Sequence, residues 1–181
     1  MSKPGAAISI RLRRLQASDA AGFREVRLEG LKAHPEAFLS PWEDEVDKPT
    51  SWWVERLKRY TVVGGWVGSS PLAGVAGLRV EDRIELRRKG VLWGMYVRPQ
   101  ARGTGLAAAL VREVIGHART RVEELGLTVT ASNAAARRLY TAAGFREYGL
   151  GRRALKIGSE YHDEVLMSLS LGPHACAAPE D

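Results

Sequence analysis

The sequence predicts a single α/β domain. It is built on a mixed, mostly antiparallel sheet of about seven strands, with one central parallel pair and about four flanking helices. Three observations carry this reading. Seven short segments are apolar or alternate apolar with polar side chains, the two-residue period of strands. Four longer segments repeat apolar side chains every three or four residues, the period of amphipathic helices. One of these helices lies between two strands with room for a crossover, which makes those strands parallel, whereas short connections leave neighbours antiparallel.

The elements follow in order. Ile8–Leu12 alternates and opens the sheet. Ser18 offers a cap to a helix that carries Ala20, Phe23, Val26 and Gly30 on one side and runs to about Lys32. Residues 34–46, bounded by Pro35 and Pro41, read as loop, and Ser51–Arg59 as a second helix with Trp53, Leu57 and Tyr60 aligned. Strands Thr61–Val67, Leu72–Val80 and Val91–Val97 come next, separated by the turn Gly68–Pro71 and the charged connection Glu81–Gly90. Leu106, Leu110, Val111, Val114, Ile115 and Ala118 then define a long amphipathic helix. Leu127–Ala131 is a strand parallel to its predecessor, and Ala134–Ala143 a helix capped by Ser132 or Asn133 and stopped by Gly144. Strands Phe145–Tyr148 and Glu164–Leu171 complete the sheet. Residues 8–171 thus form the domain, with 1–7 and 172–181 as frayed ends.

Composition narrows the function. The 181 residues are 45% hydrophobic and 27% charged, enough apolar mass for a core and the mix of a globular protein. No apolar stretch approaches the ~20 residues of a membrane-spanning helix, so no membrane partner is expected. Met1–Ala7 has no apolar run behind Lys3, so no secretory leader is expected, and a cytoplasmic location is the default. The lone Cys176 can build neither an internal disulfide nor a cysteine metal site, and no metal is expected. Basic residues outnumber acidic ones 27 to 21, for a net charge of +6. They fall in small separated groups, such as Arg11, Arg13 and Arg14 or Arg137 and Arg138, rather than along a stripe. A nucleic-acid partner is therefore not expected.

The chemistry concentrates in Val91–Ala109, VLWGMYVRPQARGTGLAAA. A strand ends at Val97, Pro99 prevents its continuation, and a glycine-bearing turn opens the long helix. The first N–H groups of a helix have no internal acceptors and carry partial positive charge. Gly103 and Gly105 let a ligand oxygen come close to them, and Arg98 and Arg102 bring full charges to the same corner. These are the properties of a diphosphate cradle. A Walker loop is excluded, since no Gly-Lys-Ser/Thr follows. Gly103-Thr-Gly105-Leu-Ala-Ala108 fits a dinucleotide fingerprint in letters only. Its first glycine stands too far from the strand end, and Glu123 and Glu124 precede the next strand instead of ending it.

Gln100-Ala-Arg102-Gly103-Thr-Gly105 matches a Gln/Arg-x-x-Gly-x-Gly/Ala loop, and Asn133, Tyr140 seven residues on, and Gly144-Phe145 form a second signature. In these motifs and in its element order the chain resembles the GNAT N-acetyltransferases. The resemblance implies a GNAT-like sheet and acetyl-CoA as cosubstrate. It implies that Arg102, Gly103, Thr104, Gly105, Leu106 and Ala107 hold the pyrophosphate, and that Met95, Tyr96 and Val97 pair their backbone with the pantetheine arm. Asn133 would contact that arm and Tyr140 would protonate the departing thiolate. Independently, seven residues span about 10 Å of helix, so Asn133 and Tyr140 share a face. The apolar stripe Ala136, Leu139, Tyr140 and Ala143 equally makes Tyr140 a core residue.

The implied reaction is direct attack of an amine on the thioester. Depleting the amine of its proton at pH 7 costs about 1 kcal/mol for an α-amine and roughly 4–5 kcal/mol for a lysine-type amine. Some family members carry a glutamate five residues before the Asn; Thr128 stands there and cannot act as a base. That departure speaks against carrying over ribosomal-protein acetylation. Glu85 is a substitute base candidate, alongside its reading as a solvated loop charge. The acceptor surface is expected from residues 33–46, the second helix and the C-terminal hairpin, with Trp42, Trp52, Trp53 and Trp93 as pocket walls or core. The expected partner is an amine acceptor of open identity, with a homodimer allowed. The alternative is a catalytically silent acyl-CoA sensor or interaction module on the same fold.

Overall fold

A computed structural model describes residues 9–38, 40–80 and 88–172. The strands are β1 (Ile10–Arg14), β2 (Thr61–Val67), β3 (Gly74–Val80), β4 (Lys89–Val97), β5 (Glu124–Thr130), β6 (Arg146–Ile157) and β7 (Glu160–Ser170). They form one sheet in the order β1-β2-β3-β4-β5-β7-β6. Its pairs are antiparallel except β4 with β5, as the crossover through the long helix requires. The helices are α1 (Ala20–Ala33), α2 (Trp42–Val46), α3 (Thr50–Arg59), α4 (Leu106–Arg119) and α5 (Ala134–Ala142).

Two apolar cores sandwich the sheet. On one face α4 buries Leu106, Leu110, Val111, Val114, Ile115 and Ala118 against Leu92, Leu125, Val129 and Met167, and α5 adds Tyr140. Each large apolar side chain so removed from water contributes about 1.5–3 kcal/mol. On the other face α1 and α3 bury Phe23, Val26, Leu31, Trp53 and Leu57 against Val62, Val75 and Tyr96. Phe23 and Trp53 meet edge to face, with centroids 5.6 Å apart.

Several elements differ from their sequence-level bounds, each for a physical reason. Strand β1 runs to Arg14 because its ladder with β2 continues to Arg14↔Val63, and Arg11 and Arg13 lay their guanidinium groups over the Trp66 ring, 4.9 and 4.7 Å from its centroid. Ser18 does not cap the first helix. It sits inside a 3-10 turn, Ala17–Asp19, and Gln16 with Asp19 forms the capping box. The presumed loop 34–46 contains a second 3-10 turn, Pro35–Ala37, and the short helix α2. Strands β6 and β7 form a hairpin far longer than Phe145–Tyr148 and Glu164–Leu171 suggested. As the edge strand, β6 is mostly exposed, with Tyr148 at 66% and Leu150 at 50%, so its sequence lacks the apolar alternation that marks a half-buried strand.

Asp19 also yields a pH prediction. Its carboxylate accepts from Arg13 Nη1 and Nη2 at 2.7 and 2.8 Å and from Gln16 N at 2.7 Å. The hydrogen bonds from Arg13, foremost, hold it below the usual carboxylate range, with burial opposing. A carboxyl with a lower folded than unfolded pKa contributes stability above the unfolded value of about 3.9, and that stability is lost as pH falls through the folded value. Asp19→Asn should therefore flatten the loss of stability on acidification below about pH 4, read as urea midpoints against pH. An unchanged acid slope would mean the group contributes nothing.

Candidate active site

The site begins where β4 parts from β5. Their ladder consists of Lys89↔Glu124, Gly90↔Leu125 and Val91↔Gly126, and goes no further. Beyond Val91, β4 is still paired to β3, while β5 is held by β7 along its whole length, up to Thr130↔Glu164. The β4 edge from Leu92 onward therefore has no strand on its β5 side.

A β-bulge reshapes that same stretch. Val75↔Tyr96 is followed by Gly77↔Trp93, so three residues of β4 span two of β3. Gly94 takes the extra position at φ +63°, a conformation that other residues adopt only with strain. The bulge resets the alternation of faces: Trp93 and Tyr96, three apart, both pack on the α1 side, and Met95 on the α4 side. The Tyr96 hydroxyl donates to Glu29 Oε1 at 3.1 Å, and burial, then Glu29, raises its pKa. Only the backbone of Tyr96 is left to meet a ligand.

At the end of β4 the chain makes the 3-10 turn Pro99–Ala101 and enters α4 through Gly103 at φ +76° and Gly105 at φ +89°. The first main-chain bond of α4 is Ala109 N to Gly105 O, 3.1 Å. Leu106 N leans on Thr104 Oγ1 at 3.4 Å. The amides of Gly103, Thr104, Gly105, Ala107 and Ala108 are thus without main-chain acceptors among the described residues. A Cβ on Gly103 would meet nothing within 4 Å, so the turn is open to a ligand. These donors, with the helix dipole, suit a pyrophosphate.

The two arginines of this corner behave differently from expectation. Arg98 is buried and turned to α1: Nη2 donates to Glu25 at 2.7 Å and Nε to Glu29 at 2.8 Å. Its charge is absorbed there and does not serve the α4 turn. Exposed Arg102 donates from Nε to Val97 O at 3.3 Å and lies 3.3 Å from His34 Nε2. Arg102 remains beside the turn, and Val97 O already has a donor.

Asn133 caps α5, its Oδ1 accepting from Ala136 N at 3.0 Å. One face of α5 carries both Asn133 and Tyr140. Tyr140 is 6% exposed, its ring edge-on to Phe145 with centroids 5.9 Å apart, and burial pushes its phenol pKa well up. Leu106 lies in the core with no exposed side chain, while Ala107 is half-buried. Glu85 lies outside the described residues.

A cavity of about 230 Å³ opens on the α1 side of the gap, lined among others by Arg27, Phe38, Arg56, Trp93, Gly94 and Thr128. The segment after α1 arches over it, and Thr130 Oγ1 donates to Glu36 O to tie that segment to β5. Of the tryptophans named from sequence, Trp93 is a wall. Trp53 is wholly buried core, and Trp42 and Trp52 pack against the same core. Buried Arg27 makes a two-pronged pair with buried Glu45, Nη2–Oε1 2.8 Å and Nε–Oε2 3.0 Å, linking α1 to α2. Sequence reading missed Arg27, Glu45 and Arg56. A charge among apolar helix positions was the available signal, since a charge there is normally paired. It also passed over Glu164. Cross-strand partners share a face, so Thr128↔Leu166 and Thr130↔Glu164 set Glu164 on the cavity side of the sheet, and burial raises its pKa.

Trp93 is held by close approach to the backbone of β3. A Cβ on Gly77 would come within 2.5 Å of its indole Cε2. Gly77→Ala should push the indole into the cavity and cost about 1–3 kcal/mol of stability, seen as a lower urea midpoint. An unchanged midpoint would show that the indole has room to move.

A family profile described as the acetyltransferase (GNAT) family matches residues 28–145. Among solved structures, the fold is similar to an acetyltransferase of the GNAT family from Streptococcus pneumoniae. That match has TM-score 0.77 at 23% identity and covers 91% of this chain and 100% of the other. A putative acetyltransferase, yncA, from Salmonella typhimurium, solved with acetyl-CoA, matches at TM-score 0.78 and 20% identity over 95% of this chain and 99% of its own. A phosphinothricin acetyltransferase from Sinorhizobium meliloti, in complex with acetyl-CoA, matches at TM-score 0.76 and 19% identity over 97% and 95%. The profile takes in the bulged β4, the α4 turn and the whole of α5, and by it this protein belongs to the GNAT acetyltransferase family.

Proposed function

We propose that the protein is an N-acetyltransferase that moves an acetyl group from acetyl-CoA to a primary amine of a small molecule or peptide by direct attack. The observation that carries this is the opening between β4 and β5, with unpaired α4 amides at one end and a cavity on its α1 side. Acetyl-CoA supplies the activated acyl carbon. The amides from Gly103 to Ala108 would hold its pyrophosphate, and the free edge of β4 at Met95 and Tyr96 its pantetheine arm.

The amine arrives from the cavity. Its lone pair forms the C–N bond as the C–S bond breaks, the sulfur leaves with a proton, and the nitrogen gives one up. Tyr140 is the acid in this reading. Its buried phenol stays protonated at neutral pH, the state an acid needs. Glu164 supports the base role, because it shares the cavity face with Thr128 and burial raises its pKa.

Two experiments test these assignments. Thiol release from acetyl-CoA over an amine panel should show transfer, and Tyr140→Phe should lower kcat about 100-fold or more with little change in coenzyme affinity. Unchanged turnover would make Tyr140 a core residue only, and no transfer to any amine would favour the silent acyl-CoA sensor. A base must be unprotonated, so kcat/KM should rise with pH through the elevated Glu164 value, and Glu164→Gln should remove that acid limb. A limb that persists in the variant would place the base elsewhere.

A further inference from the structure

The walls of the cavity beside Gly94 include buried donors that find no acceptor among the described residues. Arg27 already engages both oxygens of Glu45. Arg56 reaches the same carboxylate only at 3.7 Å, beyond a hydrogen bond. The Arg56 guanidinium is held by stacking, its carbon 4.8 Å from the centroids of both Trp52 and Trp93. Arg56 Nε and Trp93 Nε1 are buried without hydrogen-bond partners among the described residues. Burial also pulls the Arg56 pKa down, with Glu45 opposing. Arg56 is therefore positioned by aromatic faces, with its Nε left without an acceptor among the described residues.

The size and walls of the cavity fit a small occupant. About 230 Å³ equals roughly eight waters of liquid volume, below the usual range for drug-sized ligands. Phe38, Tyr60 and Trp93 provide apolar surface, and the Gly94 and Thr128 end meets the gap between β4 and β5. A polyamine or lysine side chain would bring only further donors to donors that already lack acceptors. A carboxylate would supply the missing acceptors, in the geometry a guanidinium recognises best.

We infer that the acceptor is an amino-acid-type molecule, one primary amine and one carboxylate, seated with its carboxylate at Arg56 and its amine at the Gly94–Thr128 end of the cavity. This rests on the acetyl-transfer reading and narrows its substrate. The reaction keeps its balance: the amine nitrogen becomes the amide, the thiol of coenzyme A leaves with one proton, and the acceptor carboxylate is unchanged.

The test uses the full chain with acetyl-CoA, a panel of L-amino acids, their matched carboxamides, and spermidine. The expected result is that kcat/KM for the acids exceeds that for their carboxamides by about tenfold or more. The carboxamides have the more easily deprotonated amines, so amine basicity would bias the comparison the other way. Arg56→Met should bring the acid-to-amide ratio near one, and Arg56→Lys should retain part of it. Amides or spermidine used as well as the acids, or a ratio that survives Arg56→Met, overturns the inference and leaves acetyl transfer standing. Should Arg56→Met lose its cooperative melt, the wild-type ratio and Arg56→Lys decide. No acceptor turned over, together with no thermal stabilisation by coenzyme A, overturns both.

Discussion

Three residue pairs join β4 to β5, and everything proposed for the site depends on the ladder ending there. A parallel pair in the middle of a sheet is normally buried and continuous, because unpaired N–H and C=O groups are costly away from water. Here β5 is committed to β7 over its full length while the Gly94 bulge bends β4 away. The result is a free strand edge inside the fold, able to pair with an extended ligand as it would with another strand.

The two faces of the sheet divide the labour around this gap. On the α4 side, apolar packing fixes the helix so that its first amides stand at the end of β4. On the α1 side, ionic contacts do the positioning: Arg98 ties β4 to Glu25 and Glu29 of α1, and Arg27 ties α1 to Glu45 of α2. A buried pair such as Arg27–Glu45 adds little net stability but is costly to break, so it fixes geometry more than it stabilises. The segment between α1 and α2 is thereby drawn over the gap, and the cavity follows from that.

What could be read from sequence tracks how local its cause is. The strand Thr61–Val67 and the helix from Leu106 are written in period and turn chemistry, and stand as expected. The α4 turn was legible because glycines at Gly103 and Gly105 and a proline at Pro99 each do one local thing. The bulge was not legible, since Gly94 inside a strand pattern has meaning only against the register of β3. The charge of Arg98 does not serve the α4 turn as the sequence suggested, because α1 carboxylates distant in sequence capture it. The long β6–β7 hairpin escaped because an exposed edge has no apolar period to show.

The most direct measurement is calorimetric titration of acetyl-CoA into the full chain and into Gly105→Val, where a branched side chain would have to adopt φ +89° at the mouth of the α4 turn. Saturable one-site heat from the wild type, weakened about tenfold or more in the variant, is the predicted result. The absence of heat from the wild type, or equal affinity in both, would contradict the assignment of that turn as the pyrophosphate cradle.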